Sequence, residues 1–365
     1  MNEQEKQLRV IRDDIDRIDR QIHQLLNDRA TCAQKVAEIK QKFQGEDSAV
    51  FYRPEREAQV LREVMKRNQG PLPDKEMARL FREVMSVCLA LEKPMRIAFL
   101  GPAGTYTQQA ALKHFGHSAI SAPMNTLDEV FREVESGSAN YGVVPIENSA
   151  EGLAHHTLDL FSRFHLKICG EVELQIHHHL LVRAGAGVEN LQRIYATRQA
   201  LVQCSSWLEA HCPGIERITV DSNAEAAKLL ADDSGSAAAI GGEMAAELYP
   251  LDVAARNIED QSENITRFLI LGDQEVGPSG EDKTSVLVST HNEPGALYDI
   301  LGPFRQHQIS LTRIETRPAK GAEESVFYID FEGHEDDQGV KPLLTELENA
   351  TVELRMLGSY PKAVL

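Results

Sequence analysis

The sequence predicts a multidomain protein: an all-α domain, then an α/β domain, then a small unit with the element order βαββαβ. Two observations lead to this prediction. The apolar residues change from helical spacing to short apolar runs near residue 95, and a linker rich in Gly, Asp and Glu occupies residues 272–283. At about 100–200 residues per domain, the 365 residues suffice for two or three domains.

The first predicted domain, residues 1–93, begins with one long helix over residues 5–42. Its apolar residues recur at steps of three and four, as at Ile11, Ile15, Ile18 and Ile22. At 1.5 Å per residue this helix is roughly 50 Å long, whereas a compact domain of this size is only about 25–30 Å across. We therefore expect the apolar stripe to pair with its counterpart in a second subunit.

Two shorter helices are predicted in the same domain. Pro54 suits the first turn of a helix that runs to about Asn68. Asp74 can cap a third helix that ends near Glu92. The Gly-Pro-Leu-Pro break at residues 70–73 separates the two helices. The first domain is therefore expected to contain three helices and no strand.

Short apolar segments alternate with helical ones over residues 95–272. Strands are predicted at RIAFLG, YGVVPIENS and RIYAT, and helices at ALVQCSSWLEAHC and SNAEAAKLLADD. This alternation predicts an α/β domain with a mainly parallel sheet.

The last predicted domain, residues 284–361, combines four strands with two helices. The strands are TSVLVST, ISLTRIETR, SVFYIDFEG and TVELRMLG, and the helices lie at about residues 295–307 and 340–349. The order βαββαβ is that of a ferredoxin-like module.

Composition excludes several classes of partner. The net charge of −18 argues against nucleic acid and anionic membranes, because phosphates attract basic surfaces. The five cysteines form no CxxC pair, so neither a disulfide framework nor a zinc ribbon is expected. The sequence contains no run of about 18 apolar residues, so no membrane helix is expected. The polar N-terminus does not resemble a signal peptide. A cytoplasmic protein is expected.

Cationic residues of the first domain form a candidate anion site. Arg29 and Lys40 lie 11 residues apart, so their helix directions differ by only about 20°. Arg12 lies about five turns earlier and could reach such a site only in a partner subunit. By pattern alone, a solvated helix face with i,i+4 charge pairs is the favoured explanation of these residues.

Four segments of this domain resemble the all-helical class of chorismate mutases: IRDDIDRID, LLNDRATCAQKVAEIK, YRPERE and RLFREVMSVCLALE. The resemblance implies that cations bind the two carboxylates and the ether oxygen of chorismate; these are Arg12 from the other subunit, Arg29, Lys40 and Arg56. It also implies that Glu57, with the backbone near Arg53, holds the substrate hydroxyl.

Two residues depart from that family pattern. Glu92 stands where some relatives carry Gln beside the ether oxygen, and an ionised carboxylate cannot donate a hydrogen bond. We therefore expect a mutase that works best at acidic pH, with Glu92 protonated. Cys88 stands where some relatives have a small hydroxyl residue, and we interpret it as pocket lining.

Three loops of the α/β domain carry polar residues, at 101–107 (GPAGTYT), 145–152 (PIENSAEG) and 264–268 (NITRF). The first offers backbone N–H groups at a helix N-terminus, which suit an anion. The second follows a strand, where α/β proteins bind ligands. A plain strand-to-helix turn remains an alternative for the first loop.

These loops, with the stretch Gln199-Ala200-x-x-Gln203-Cys204, resemble prephenate dehydratase over residues 95–272. The resemblance implies a two-lobed fold like that of periplasmic binding proteins, with prephenate in the cleft. Thr266 is then the residue tied to catalysis, and Arg267 and Phe268 shape its surroundings. The remaining substrate-binding candidates are Thr105, Thr107, Asn148, Ser149 and, as acid or orienting group, Glu147.

No cofactor is expected for this chemistry. Aromatisation of the ring drives decarboxylation, so neither pyridoxal nor metal is required. His177, His178 and His179 invite a metal site, but consecutive residues of a strand point to alternate faces and cannot converge on one ion.

The last domain resembles the ACT domain of phenylalanine-sensitive dehydratases. The resemblance rests on Gly295-Ala296-Leu297-Tyr298 and on Glu315-Thr316-Arg317-Pro318. It implies that Gly295, Ala296, Leu297, Glu315 and Arg317 bind L-phenylalanine where two such domains meet.

Three functional hypotheses follow. The leading one is a bifunctional enzyme that acts as a homodimer or higher homo-oligomer. A second retains only the dehydratase, with the helical domain as a dimerisation arm. A third is a non-catalytic phenylalanine sensor. A dehydrogenase is not expected, because no dinucleotide fingerprint follows a strand.

Overall fold

The computed structural model describes residues 3–45, 50–149, 152–153, 155–318 and 324–365. The predicted multidomain fold class is confirmed, with helices first, two mixed sheets next and a βαββαβ unit last. None of the helices in these ranges combines the length and apolarity needed to cross a bilayer.

The N-terminal part consists of α1 (Glu3–Gln44), α2 (Pro54–Arg67) and α3 (Asp74–Glu92). Pro54 occupies the first turn of α2, where its missing N–H has no helical acceptor to lose. Asp74 was expected to cap α3, but Pro73 holds that position. The Asp74 carboxylate instead accepts a hydrogen bond from Asn68 Nδ2 at 2.8 Å and so braces the turn between the two helices.

The apolar stripe of α1 is exposed in the single chain. Ile11 is 58% exposed, Ile22 50% and Leu25 66%. Such a row of large apolar side chains at helical spacing is typical of a helix that packs against another surface.

The middle part forms two sheets. The strands and helices of this part are β1 (Arg96–Leu100), α4 (Tyr106–Phe115), β2 (Ile120–Met124), α5 (Leu127–Glu135), β3 (Tyr141–Asn148), β4 (Gly152–Leu153), α6 (His155–Phe161), β5 (Lys167–Gln175), β6 (His179–Arg183), β7 (Arg193–Ala196), α7 (Arg198–Gln203), α8 (Ser205–His211), β8 (Glu216–Thr219), α9 (Asn223–Asp232), β9 (Ala237–Gly241), α10 (Glu243–Leu248), β10 (Leu251–Ala255) and β11 (Ile265–Gly272). The first sheet has the order β2-β1-β3-β11-β5, with β4 beside β3. The second has the order β10-β6-β9-β7-β8.

The prediction of a mainly parallel sheet is wrong. The pairs β1–β2, β1–β3, β7–β8 and β7–β9 are parallel, but β3–β11, β5–β11, β6–β9 and β6–β10 are antiparallel. The chain crosses between the sheets twice without a helix, from β5 to β6 and from β10 to β11. The returning β11 inserts antiparallel between β3 and β5. The helix expected at ALVQCSSWLEAHC is likewise two helices, α7 and α8, which meet at Cys204.

The C-terminal part contains β12 (Asp282–His291), α11 (Ala296–Gln306), β13 (Leu311–Pro318), β14 (Glu324–Glu332), α12 (Val340–Ala350) and β15 (Glu353–Pro361). Its strands form one antiparallel sheet in the order β13-β14-β12-β15. Leu287, Tyr328 and Leu357 from this sheet share a hydrophobic core with Ile168 and Leu269 of the first sheet. The C-terminal sheet therefore packs directly against the strand that carries Thr266.

Candidate active sites and effector surface

A cationic pocket of about 400 Å³ lies among the three N-terminal helices. The structure brings together seven of the residues predicted for the mutase site: Arg29, Lys40, Arg53, Arg56, Glu57, Cys88 and Glu92. Arg12 is not among them. Seventeen residues separate Arg12 from Arg29 on α1, which is about 25 Å along a helix.

Burial changes the acid–base properties of two groups in this pocket. It raises the pKa of the Glu92 carboxyl, although Lys40 and Arg29 oppose the change. It lowers the pKa of the Lys40 ammonium, against the opposing charge of Glu92. Lys40 Nζ donates to the carbonyl oxygens of Val50 at 3.0 Å and Phe51 at 3.2 Å. Glu92 is thus more readily protonated than an exposed Glu and can then donate a hydrogen bond.

Glu57 has a protein partner that sequence reasoning missed. Its Oε1 lies 3.2 Å from Nε of Arg82, and their side chains are only 14% and 8% exposed. Arg82 also donates to the carbonyl oxygens of Lys113 at 3.1 Å and His114 at 2.6 Å, at the end of α4. Glu57 therefore lines the pocket while it is paired on its inner side. The four-residue spacing of Arg82 from the buried Ala78 could have indicated an inward-facing cation.

The second pocket is a cleft of about 380 Å³ between the two sheets of the middle part. It brings together six of the residues predicted for the dehydratase: Thr105, Thr107, Glu147, Asn148, Thr266 and Phe268. Thr105 also acts as the N-cap of α4, since its Oγ1 accepts from Gln108 N at 3.4 Å and donates to Leu100 O at 3.1 Å. It is therefore less available to an anion than the sequence predicts.

Thr266 lies on the wall of this cleft, 7% exposed. Its Oγ1 accepts a hydrogen bond of 2.7 Å from Asn148 Nδ2, whose second contact is Asn264 Oδ1 at 3.0 Å. Within the described residues, Oγ1 of Thr266 donates to no protein group. Its proton is therefore available to a ligand in the cleft.

Three side chains that line the cleft, Gln203, His178 and Tyr106, were not singled out as site residues. Asn264 Nδ2 donates to Gln203 Oε1 at 3.2 Å, and the same oxygen lies 2.8 Å from His178 Nε2. The Tyr106 hydroxyl lies 3.0 Å from His178 Nδ1. Gln203 belongs to the family-like stretch and His178 to the histidine triplet, so both had signals in the sequence.

The loop after β3 contributes fewer side chains to the cleft than the sequence predicts. Ser149 was expected to bind a carboxylate, but its Oγ donates to Glu263 O and accepts from Ile265 N, both at 2.9 Å. It is absent from the described residues that line the cleft. Ser149 therefore ties two chain segments together. Ala150 and Glu151, the next residues of this loop, lie outside the described residues.

Arg267 points away from the cleft, which corrects its assignment to substrate binding. Consecutive residues of a strand face opposite sides of the sheet, so Thr266 and Arg267 cannot share one pocket. The Arg267 guanidinium, in a residue only 9% exposed, donates to Glu171 Oε2 at 2.7 Å, Asp330 Oδ2 at 2.7 Å and the Tyr360 hydroxyl at 3.0 Å. Arg267 therefore joins the first sheet to the C-terminal sheet.

The residues predicted to bind the effector lie at the start of α11 and on β13. Gly295 adopts φ 101°, a left-handed conformation that suits glycine, and it precedes the exposed Leu297 and Tyr298. Ala296 is half-buried, as is Glu315 on β13. Arg317 was expected to bind the effector, but its guanidinium forms a bidentate ion pair with Asp159 of α6 at 2.8 and 2.9 Å. That pair connects the C-terminal and middle parts.

No group of three or more His, Cys, Asp or Glu side chains is arranged for a metal ion within the part of the chain that the structure describes. In the histidine triplet, only His178 lines the cleft. The His177 ring lies 2.7 Å from Glu259, and His179 Nδ1 accepts from Asn257 N at 3.1 Å. The three rings therefore have separate partners.

Comparisons with known proteins agree with the three parts of the fold. The family models for chorismate mutase type II, prephenate dehydratase and the ACT domain match residues 11–93, 97–276 and 284–349. Relatives from Stutzerimonas stutzeri and Pseudomonas aeruginosa, both described as bifunctional chorismate mutase/prephenate dehydratase, are 55% and 54% identical over 361 residues. Each alignment covers 98% of this chain and 99% of the relative.

One solved structure extends the comparison to the effector. The prephenate dehydratase of Arthrobacter aurescens in complex with L-Phe is 34% identical, with a TM-score of 0.69. The match covers 73% of this chain and 90% of that chain.

The fold and its two pockets define a multidomain enzyme in which a mutase and a dehydratase are joined to a regulatory ACT domain. The chain belongs to the bifunctional chorismate mutase/prephenate dehydratase family.

Proposed function

We propose that this chain converts chorismate to prephenate in the helical pocket and prephenate to phenylpyruvate in the cleft, with L-phenylalanine as the effector of the ACT domain. The observation that carries the proposal is the pairing of Thr266 with Asn148, which leaves the Thr266 proton for a ligand. The domains are assigned to residues 1–93, 95–272 and 284–361.

The mutase step is an intramolecular rearrangement that needs positioning and charge stabilisation. Arg29, Arg56 and Lys40 hold the two carboxylates of chorismate in the reactive diaxial conformer. As the ether bond breaks, negative charge grows on its oxygen, and donors placed there lower the barrier. Lys40 and a protonated Glu92 supply those donors. Cys88 lines the pocket.

The dehydratase step expels CO₂ and the ring hydroxyl together. The electron pair of the breaking carbon–carboxylate bond enters the ring and displaces the hydroxyl, and the ring becomes aromatic. Hydroxide is a poor leaving group, so the Thr266 hydroxyl donates a hydrogen bond to the departing oxygen, which solvent protonates to water. Asn148 orients Thr266, while Thr107 and Glu147 border the substrate.

The assembly is proposed to be a homodimer or a higher homo-oligomer in the cytoplasm. The exposed apolar stripe of α1 supports this proposal, because it is long enough to cover a second copy of itself. In such a dimer Arg12 of one chain completes the pocket of the other. The residues needed for the mutase then come from both subunits.

The experiment that tests the proposed function is phenylpyruvate formation from chorismate and, in parallel, from prephenate between pH 4.5 and 8. Product from both substrates supports two activities. Product from prephenate alone supports the second hypothesis, a dehydratase whose helical part serves as a dimerisation arm. Product from neither substrate favours a phenylalanine sensor.

The Glu92→Gln variant tests the acidic mutase. Burial raises the pKa of Glu92, so the wild-type donor is lost, and mutase activity falls, as pH rises through that raised pKa. A Gln side chain donates at every pH, so we expect the variant profile to be flat in this range. Chorismate consumption at each pH measures the profile. Glu76→Gln, an exposed position on the same helix, is the control, and an unchanged Glu92→Gln profile contradicts the idea.

The Ile15→Asp variant tests the dimer. A carboxylate in the centre of an apolar interface is strongly unfavourable, so we expect dissociation to monomers. Mutase activity is then lost, because Arg12 no longer reaches its pocket, while dehydratase activity persists. Sedimentation velocity measures the association state, and Gln21→Asp on the same helix is the matched control. A dimeric and fully active Ile15→Asp enzyme argues against the arrangement.

A further inference from the structure

Arg82 is a buried cation that stands behind the helical pocket. The residue lies on α3 and is 7% exposed, and its Nε lies 3.2 Å from Oε1 of Glu57. Glu57 lines the pocket, whereas Arg82 is absent from the described residues that line it. Any effect of Arg82 on a ligand in the pocket is therefore indirect, through Glu57.

The C-terminal end of α4 holds the Arg82 guanidinium in place. Nη1 of Arg82 donates to the carbonyl oxygens of Lys113 at 3.1 Å and His114 at 2.6 Å. The last carbonyl groups of a helix have no partner within the helix and form the negative end of its dipole, so a cation suits them. The Tyr52 hydroxyl lies 2.9 Å from His114 Nε2 and ties the loop before α2 to the same helix end. The dehydratase domain therefore anchors a cation of the mutase domain.

Glu57 needs a cation close by if it is to remain charged. Its side chain is only 14% exposed, and removal from water disfavours a carboxylate. Burial raises the pKa of Glu57, and the charge of Arg82 opposes this change. Nε of Arg82 makes no hydrogen bond within the described residues, so charge rather than a directed bond holds the pair. Loss of this charge would favour the neutral carboxyl, which is a weaker acceptor than a carboxylate.

The other ionisable side chains near Glu57 form two sets. In the helical pocket they are Arg29, Lys40, Arg53, Arg56 and Glu92. In a smaller cavity that Glu57 also borders, on the Arg82 side, they are Tyr52, Lys113, His114, Cys169, Glu171 and Lys362.

Neither set replaces Arg82 as the partner of Glu57. The cations of the helical pocket are those proposed to hold the carboxylates of the substrate. In the smaller cavity, Lys113 Nζ donates to the Glu173 carbonyl oxygen at 2.8 Å, and burial lowers the pKa of His114, which keeps that ring neutral. Within the described ranges of the chain, Arg82 is the one ion-pair partner of Glu57.

We propose that Arg82 is a positioning residue of the mutase: it holds Glu57 as a carboxylate that accepts the hydrogen bond of the substrate's ring hydroxyl. This inference rests on the proposed mutase function of the helical pocket. It also gives the dehydratase domain a part in the mutase reaction, because α4 anchors Arg82.

The test compares Arg82→Gln with Arg82→Lys in the full chain, with chorismate consumption as the assay. Gln keeps an N–H donor for α4 but removes the charge, so we expect kcat/KM to fall by about 10–100-fold, as for loss of a hydrogen bond to a charged group. Lys keeps a cation on α3 and should restore most of kcat/KM. Arg79→Gln on the same helix is the matched control, because Arg79 is exposed and pairs with Glu76.

A double variant separates the effect on Glu57 from a merely structural role. The neutral side chain in Glu57→Gln needs no cation, so adding Arg82→Gln to it should change kcat/KM by less than about threefold. If Arg82 serves only to hold α4 against α3, its replacement lowers kcat/KM equally in both backgrounds. Conversion of prephenate to phenylpyruvate should be unchanged in every variant, since the cleft is a separate pocket.

Four results would each overturn the inference. They are a wild-type kcat/KM in Arg82→Gln, equal losses in the Gln and Lys variants, the same loss with and without Glu57→Gln, and a parallel loss of dehydratase activity. A wild-type chain that consumes no chorismate would instead contradict the proposed mutase function itself.

Discussion

Replacing Thr266 by Val is expected to lower kcat of the dehydratase by about 10²–10⁴-fold, the range for loss of one proton-donating group. Val keeps the shape of Thr but lacks the hydroxyl that faces the departing oxygen. The contact strengthens only as the carbon–oxygen bond breaks, so kcat falls while KM changes little. Steady-state conversion of prephenate to phenylpyruvate measures both constants.

The controls for Thr266→Val are a Ser variant of the same residue and the mutase activity of the same chain. Thr266→Ser keeps a hydroxyl that can accept from Asn148 Nδ2 and should retain much of the activity. Mutase activity should be unchanged in both variants, because the helical pocket is separate from the cleft. A Val variant whose kcat stays close to the wild-type value would remove Thr266 from the reaction.

Replacing Arg267 by Met is expected to lower the free energy of unfolding by about 3–5 kcal/mol, the typical effect of removing one partner from a buried ion pair. Arg267 is the shared partner of Glu171 and Asp330, whose side chains are 1% and 12% exposed. Without the guanidinium, Asp330 loses its ion-pair partner, and Glu171 keeps Lys283 at 2.9 Å and the backbone N of Ala363 at 3.2 Å. The urea midpoint measures the loss.

The loss in Arg267→Met should also depend on pH. Burial opposes ionisation of Asp330, yet the Arg267 guanidinium and the Ser285 hydroxyl hold its pKa below the ordinary range. The stabilisation by this carboxylate is therefore present above the pKa of an unfolded Asp and is lost as pH falls through the lowered value. In the variant, the Arg267 charge no longer opposes the effect of burial, so the pKa of Asp330 is higher than in the wild type. The difference in unfolding free energy between wild type and variant should shrink from pH 7 towards about pH 4.

The matched control is Arg305→Met, because Arg305 is exposed on α11. Its unfolding free energy should change by less than about 0.5 kcal/mol, as for most surface substitutions. If both variants have the same urea midpoint, the buried ion cluster contributes nothing to holding the two sheets together.

Periodicity determined the helices and the last domain before any tertiary contact was known. The stripe of α1, the proline at the start of α2 and the βαββαβ order depend on residues near one another in the chain, so spacing alone predicts them. The separation of Arg29 from Arg12 along α1 is also a matter of helical rise. It placed Arg12 out of reach of the pocket, as found.

Only the tertiary structure decided where several polar side chains point. Thr266 and Arg267 are neighbours in one motif, but β11 belongs to the first sheet, whose two faces border different surroundings. Thr266 faces the cleft, and Arg267 faces Asp330 of the C-terminal sheet. The partners of Glu57, Ser149, Arg317 and His178 come from other elements, and no local spacing predicts them. The antiparallel pairing of β11 also could not be predicted, because strand pairing depends on residues far apart in the chain. The alternation of strands and helices depends on residues close together in the chain.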